Sequence, residues 1–236
     1  MSISQALTQT GELHGVFAII QELKQPRPVR IKQKSADVPK AEMNKDRLLV
    51  AKILNGDEKA FTELYREYSP GILRRLYRMT GDSEYAEDCL QQVFTEALRS
   101  FENYRGEGSL QGWLNRIATH LTLDHFRRKQ RLRSFLEDFA PAKQHSEQEP
   151  LPEELFLKEE LRQLIRSLLE KLGARKRMAI LLCDLEGMGV EEAAEQMDIP
   201  VGTVASRLHH GRRDLRKLVI AELRKRGLSV EDWLHR

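Results

Sequence analysis

Cysteine is nearly absent. Cys89 and Cys183 are the only two in 236 residues, and neither has a CxxC or Cys/His spacing around it. That excludes a disulfide framework and a zinc site, and both residues are expected to be buried as small hydrophobes inside helical patterns. Long apolar runs are missing as well. The longest candidates, residues 16–20, 48–54 and 178–183, fall far short of the ~18–20 residues that a membrane span needs. The first residues, Met-Ser-Ile-Ser-Gln, lack the basic segment of a signal peptide. No membrane insertion and a cytoplasmic location are therefore expected. An excess of one charge sign is also lacking: 39 Lys and Arg against 36 Asp and Glu leave +3, which neither requires nor excludes a nucleic-acid partner. What is present is a 40% hydrophobic composition, enough to build cores, so a collagen-like or wholly disordered chain is excluded.

The apolar positions repeat at helical spacing almost throughout. Leu13, Val16, Phe17, Ile20 and Leu23 suggest an amphipathic helix, followed over residues 24–40 by a basic, proline-bearing linker; residues 1–44 read as a partly disordered extension. Residues 45–131 form a first helical unit. Its first helix stops at Asn55-Gly56, and Asp57 caps the second, with apolar positions Ala60, Phe61, Leu64, Tyr65 and Tyr68. Ser69-Pro70 looks like a new helix start, and another helix begins near Ser83. Ser109 caps the last, whose stripe is Leu110, Trp113, Leu114, Ile117, Ala118 and Leu121. Trp113 lies on that stripe, which assigns it to the core rather than to a stacked base. Residues 132–155 read as a flexible acidic linker, and residues 156–226 as a second helical unit, with helices through Leu161, Leu164, Ile165, Leu168 and Leu172 and over residues 175–185. Residues 227–236 are a tail. The fold class expected is all-α: two small helical domains joined by a flexible acidic linker.

The charges are sorted along this frame. Residues 81–102 carry six acids (Asp82, Glu84, Glu87, Asp88, Glu96, Glu102) against Arg99, net −5, which suits a protein partner. Residues 124–133 carry five bases (Arg127, Arg128, Lys129, Arg131, Arg133) against Asp124, net +4, a phosphate-binding tip. Residues 133–160 carry a further −6 beyond Arg133. Residues 203–226 hold eight bases and two acids, net +6. That last segment coincides with a local signal for a helix-turn-helix: a short helix with small Ala193 and Ala194, a tight connection over Asp198, Ile199, Pro200, Val201 and Gly202, and a second helix opened by Thr203. Val204 and Leu208 should face inward, leaving Thr203, Ser206, Arg207, His210 and Arg213 available to a DNA groove. Arg207 is suited to a guanine edge, while Arg212, Arg213, Arg216 and Lys217 are suited to phosphates.

These segments together resemble a bacterial RNA polymerase sigma factor of the extracytoplasmic-function (ECF) group within the sigma-70 family. The resemblance rests on Asp57-Glu-Lys-Ala-Phe-Thr-Glu-Leu-Tyr65, Ala86-Glu-Asp-Cys-Leu-Gln-Gln-Val-Phe94, Gly112-Trp-Leu-Asn-Arg-Ile-Ala118 with Asp124-His-Phe-Arg-Arg128, and Asp184-Leu-Glu-Gly187 running into Ile199-Pro-Val-Gly-Thr-Val-Ala-Ser-Arg-Leu-His209. It implies that residues 45–131 are region 2, which binds core polymerase and opens the −10 element, and that residues 156–226 are region 4, whose helix-turn-helix reads the −35 element. It assigns Asp88, Gln91, Gln92 and Phe94 to core-polymerase binding. It assigns Asn103, Arg116, His120, Arg127 and Arg128 to the −10 element, with residues 103–108 and the following helix holding unstacked bases. The implied partners are core RNA polymerase, promoter DNA and an anti-sigma factor. No small-molecule substrate, cofactor, metal or catalytic residue is implied. Gln92 stands where the family usually has an acid, His120 where it often has Asn, Asp198 where it has a turn glycine, and Gly173-Ala174-Arg175 where it has a Leu-Pro start to region 4.

Two other readings are open to the residues. A helix-turn-helix regulator acting without polymerase would leave the segments around Asp88 and Trp113 unexplained. An enzyme built on His120, Asp124 and His125 finds no nucleotide loop, nucleophile motif or second carboxylate cluster to support it.

Overall fold

The computed structural model describes residues 40–106, 108–137 and 163–227. The expected helix at 13–23, most of the acidic linker, Leu161 and residues 228–236 lie outside the described residues. All regular structure within them is helical. The elements are α1 (Lys40–Leu54), α2 (Glu58–Thr80), α3 (Ser83–Ser100), a 3₁₀ turn (Phe101–Asn103), α4 (Leu110–Glu137), α5 (163–170), α6 (Ala174–Ile180) with a wider turn (Leu181–Leu185), α7 (Val190–Met197) and α8 (Val201–Lys225). Contacts sort these residues into two units. The first is built on residues 40–125, with 195–198 grouped to it, and the second on 126–194 and 199–227.

In the first unit, Asp57 starts α2 as expected, its side chain accepting from Lys59 N at 2.9 Å and Ala60 N at 3.2 Å. Gly81, at φ 72°, ends α2 by donating its N–H to the Tyr77 carbonyl. The anticipated break at Ser69-Pro70 does not occur, and Pro70 lies within one continuous α2. An interior proline costs about 3 kcal/mol. Leu64 and Tyr68 before it, and Ile72 and Leu76 after it, are buried on one face. At ~1.5–3 kcal/mol for each large apolar side chain, keeping the two halves in line outweighs the proline. On α3 the buried set is Ala86, Cys89, Leu90, Val93, Phe94 and Ala97. On α4, Leu110, Leu114 and Ala118 are buried. Trp113 is half-buried, stacked on Phe101 at 5.4 Å and tilted against Tyr104 at 5.5 Å, so it packs as expected. The buried Arg75 of α2 donates to the Asn115 carbonyl at 2.7 Å and to Thr119 Oγ1 at 3.1 Å, fixing α2 to α4.

In the second unit, Ile165, Leu168 and Leu169 of α5 and Met178 and Ile180 of α6 supply the core. The Arg177 guanidinium lies 3.8 Å from the centre of the Phe126 ring, and burial pushes it down to about 10. Cys183 is half-buried, its thiol pushed up to about 12 by burial and then by Asp184, which keeps it protonated and unreactive. The helix-turn-helix was expected to rely on Ala193 and Ala194 for close packing, and both are buried. A further close approach was not anticipated: a Cβ added at Gly211 of α8 would meet Ile180 Cδ1 of α6 at 3.0 Å. Lys176 to Asp214 at 2.7 Å ties the same two helices.

Gly211→Val is expected to lower the unfolding free energy by about 1–3 kcal/mol through overpacking against Ile180. Gly202→Ala, where an added Cβ meets nothing within 4 Å, should stay within about 0.5 kcal/mol of the parent. Urea denaturation of both variants checks the pair.

Candidate nucleic-acid interface

A tight connection leads from α7 into α8. Asp198 adopts φ +53°, the one non-glycine at positive φ among the described residues, a conformation that Asp tolerates better than most residues. It thus does the work of a turn glycine. Pro200 follows at φ −58°, and its carbonyl accepts from Thr203 N at 2.8 Å and Val204 N at 3.3 Å. These bonds start α8 at Val201, two residues ahead of the expected start at Thr203. Proline pre-sets the backbone for the first turn, so no side-chain cap is needed.

Val204 and Leu208 are buried as expected, and Gly211, Leu215, Val219 and Leu223 continue the inward face. Ser206 and Arg213 are exposed, while Thr203, Arg207 and His210 are half-buried. Burial, then the charges of Arg175 and Arg127, lowers the Arg207 guanidinium from its ordinary value. Like charges gathered in this way are relieved by a polyanion. His210 Nδ1 is shielded from solvent with no hydrogen-bond partner among the described residues. One expectation is corrected. Arg212 is not a free phosphate ligand: its Nε lies 3.1 Å from Asp184 Oδ2, and its Nη2 also bonds this carboxylate. Asp184 is only 6% exposed, so Arg212 joins α8 to the turn after α6.

The tip residues at 124–133 divide in the same way. Arg128 and Arg131 are exposed and Arg127 is half-buried. Lys129 and Arg133 reach Glu170 of α5 at 2.9 and 3.3 Å. Burial would raise the Glu170 carboxyl, but the Lys129 hydrogen bond and the surrounding cations bring it below the ordinary carboxylate value.

In the first unit, Arg116 and His120 stand exposed one turn apart on α4, with Arg116 Nη2 2.8 Å from the exposed Asp198 carboxylate, and Asn103 is exposed at the end of the 3₁₀ turn. On α3, Asp88, Gln91 and Gln92 are exposed. Phe94 differs from the expectation. It is 3% exposed, with its ring centre 4.7 Å from Tyr65 and 6.4 Å from Phe61, so its side chain holds α3 in the core and offers no surface contact. The spacing of Ala86, Leu90, Val93 and Ala97 on one stripe carried that signal.

Sequence reasoning missed two neighbours in α1. Asp46, 2% exposed, accepts from Tyr68 Oη at 2.9 Å and from Leu110 N at 2.8 Å. Arg47 Nη2 donates to the carbonyls of Arg105 at 3.1 Å and Gly106 at 3.2 Å. Tyr104 Oη donates to the Gly108 carbonyl at 3.0 Å. Burial and the nearby Asp46 push the Tyr104 phenol up to about 12, so it remains a donor at neutral pH.

Comparison with known proteins gives two family matches in order along the chain: Sigma-70 region 2 over residues 64–132 and Sigma-70, region 4 over residues 162–215. The ECF RNA polymerase sigma factor SigE of Mycolicibacterium smegmatis is 37% identical over 168 residues, 68% of this chain and 63% of that protein. The match therefore spans a little under two thirds of that relative's length. The ECF RNA polymerase sigma-E factor of Escherichia coli is 34% identical over 173 residues, 71% of this chain and 90% of that protein. A solved structure of the Bartonella quintana sigma factor RpoE in complex with the anti-sigma factor NepR aligns at a TM-score of 0.47 with 21% identity, covering 68% of this chain and 97% of that one.

Arg212 and Arg213 are adjacent but differently employed, and they should separate in titrations of duplex DNA at several salt concentrations. Arg213→Ala is expected to reduce the salt dependence of binding by about one phosphate contact. Arg212→Ala should leave that slope unchanged and lower the thermal midpoint, because it leaves the buried Asp184 carboxylate without its guanidinium.

Proposed function

Because the chain belongs to the ECF RNA polymerase sigma factors, we propose that it is a transcription initiation factor that binds core RNA polymerase and directs it to promoters with two recognition elements. The observation that carries this reading is the order of the two family matches, region 2 over residues 64–132 and then region 4 over residues 162–215. Residues 45–131 act as region 2 and residues 156–226 as region 4, with residues 132–155 as the linker. The chain performs no chemistry of its own, takes no cofactor and works in the cytoplasm. Polymerase makes the phosphodiester bonds.

The exposed Asp88, Gln91 and Gln92 on α3 face the polymerase. An acidic and amide surface is repelled by DNA and attracted to a basic protein patch. Asn103, Arg116, His120, Arg127 and Arg128 serve the −10 element. Extruding a base costs a few kcal/mol, which polar contacts from Asn103 and His120 and phosphate contacts from the arginines offset. Thr203, Ser206, Arg207, His210 and Arg213 serve the −35 element from the outward face of α8, with Arg207 suited to a guanine. An anti-sigma factor is the further partner that membership of this group implies.

The test is reconstituted transcription with core polymerase and a genomic DNA library. Specific initiation above core alone is expected; DNA binding without initiation would favour a polymerase-independent regulator instead. Arg207→Ala should reduce −35 discrimination by about 1–3 kcal/mol at unchanged affinity for core polymerase. Asp88→Arg should weaken core binding and leave −35 discrimination intact.

A further inference from the structure

We propose that Asp46 and Arg47, consecutive residues of α1, are positioning residues that set the places of residues 104–106 and 108–110 between the 3₁₀ turn and α4, and through them the reading of the −10 element. This rests on the assignment of that segment to the −10 element under the proposed function. The two side chains act at opposite ends of the segment. Arg47 holds the near end through the Arg105 and Gly106 carbonyls. Asp46 holds the far end through the first amide of α4, with Tyr68 of α2 bonded to its other oxygen. Tyr104 bonds across to the Gly108 carbonyl. Backbone groups are thereby bound on the α1 side, while the side chains of Asn103 and Arg105 are exposed.

Gly106 shows how closely Arg47 is fitted. Gly106 is at φ +66°, and a Cβ there would stand 2.1 Å from Arg47 Nε, 2.8 Å from Cγ and 2.9 Å from Cδ. Any side chain at 106 therefore expels Arg47, besides straining a backbone conformation that favours glycine. Arg47 and Gly106 form a matched pair across 59 positions of sequence. A base held outside the duplex needs its contacts already in place, because ordering them at the moment of capture subtracts from the binding. Two carbonyls fixed by one guanidinium supply that order without touching DNA.

The test compares the parent with Arg47→Ala, Arg47→Lys, Gly106→Ala and the Arg47→Ala/Gly106→Ala double variant, on a promoter recovered with the parent protein and on derivatives changed at single −10 positions. Arg47 is exposed, so its replacement leaves the fold intact; core-polymerase affinity and thermal midpoint verify this. Arg47→Ala is expected to reduce −10 discrimination about five- to tenfold, in keeping with the loss of a charged hydrogen-bond donor, at unchanged −35 discrimination and core affinity. Arg47→Lys should recover part of the loss. Gly106→Ala should match Arg47→Ala, and the double variant should be little worse than either single one. Retention of −10 discrimination within twofold in Arg47→Ala, or a double variant showing the product of two independent losses, would overturn the proposal. If the parent protein itself fails to initiate with core polymerase, the underlying function is wrong and the proposal falls with it, a result distinct from either of the other two.

Discussion

A carboxylate with almost no access to water fixes the start of α4, the longest helix among the described residues. Burying a charge costs several kcal/mol unless its oxygens are satisfied. Asp46 meets that condition with a tyrosine hydroxyl from α2 on one oxygen and the first amide of α4 on the other. The second contact places a negative charge at a helix N-terminus, where the unsatisfied amides and the helix dipole both favour it. Three helices are therefore joined at one carboxylate. The positions of Leu110, Leu114 and Ala118 in the core, and of Arg116 and His120 at the surface, follow from where α4 begins.

From that fixed start, one rule separates structural from functional charges. Cations paired to a shielded carboxylate are committed to the fold, as Arg212 is to Asp184 and Lys176 to Asp214, whereas Arg116 pairs at 2.8 Å with the exposed Asp198 carboxylate and stays at the surface. Arg213, more than half exposed and 3.7 Å from the adjacent Asp214 carboxylate, and the exposed Lys217 are positioned to act outward from α8. The net charge of +3 hides this, because it is a cancellation between an acidic helix suited to a protein and basic segments suited to phosphates. Adjacent residues of the same charge can thus have opposite roles, and the division is set by helical phase.

Local features were legible in the sequence. Asp57 as a cap, the stripe through Leu110 and Ala118, and the inward turn of Val204 and Leu208 each depend on neighbours within a few positions, where helical periodicity and turn chemistry act. The continuity of α2 through Pro70 was not legible, because the apolar packing that outweighs the proline comes from other helices. Arg212 looked like a phosphate ligand since its partner Asp184 lies 28 positions away. Asp46 lay further still, 64 positions from Leu110, within a run of charged residues that resembled an ordinary solvated helix start. The resemblance to sigma factors set Phe94 among the surface contacts, because its place in a motif concealed its place on a buried stripe.

The exchange rate of the Leu110 amide hydrogen tests the central claim most directly. The first amides of a helix have no partner within it and ordinarily exchange quickly. If Asp46 holds this amide, Leu110 N–H should exchange as slowly as the core amides of α4 around Leu114, although it is the first residue of its helix. Exchange as fast as that of an unprotected helix start would show that the carboxylate does not hold α4, and the account built on it would be wrong.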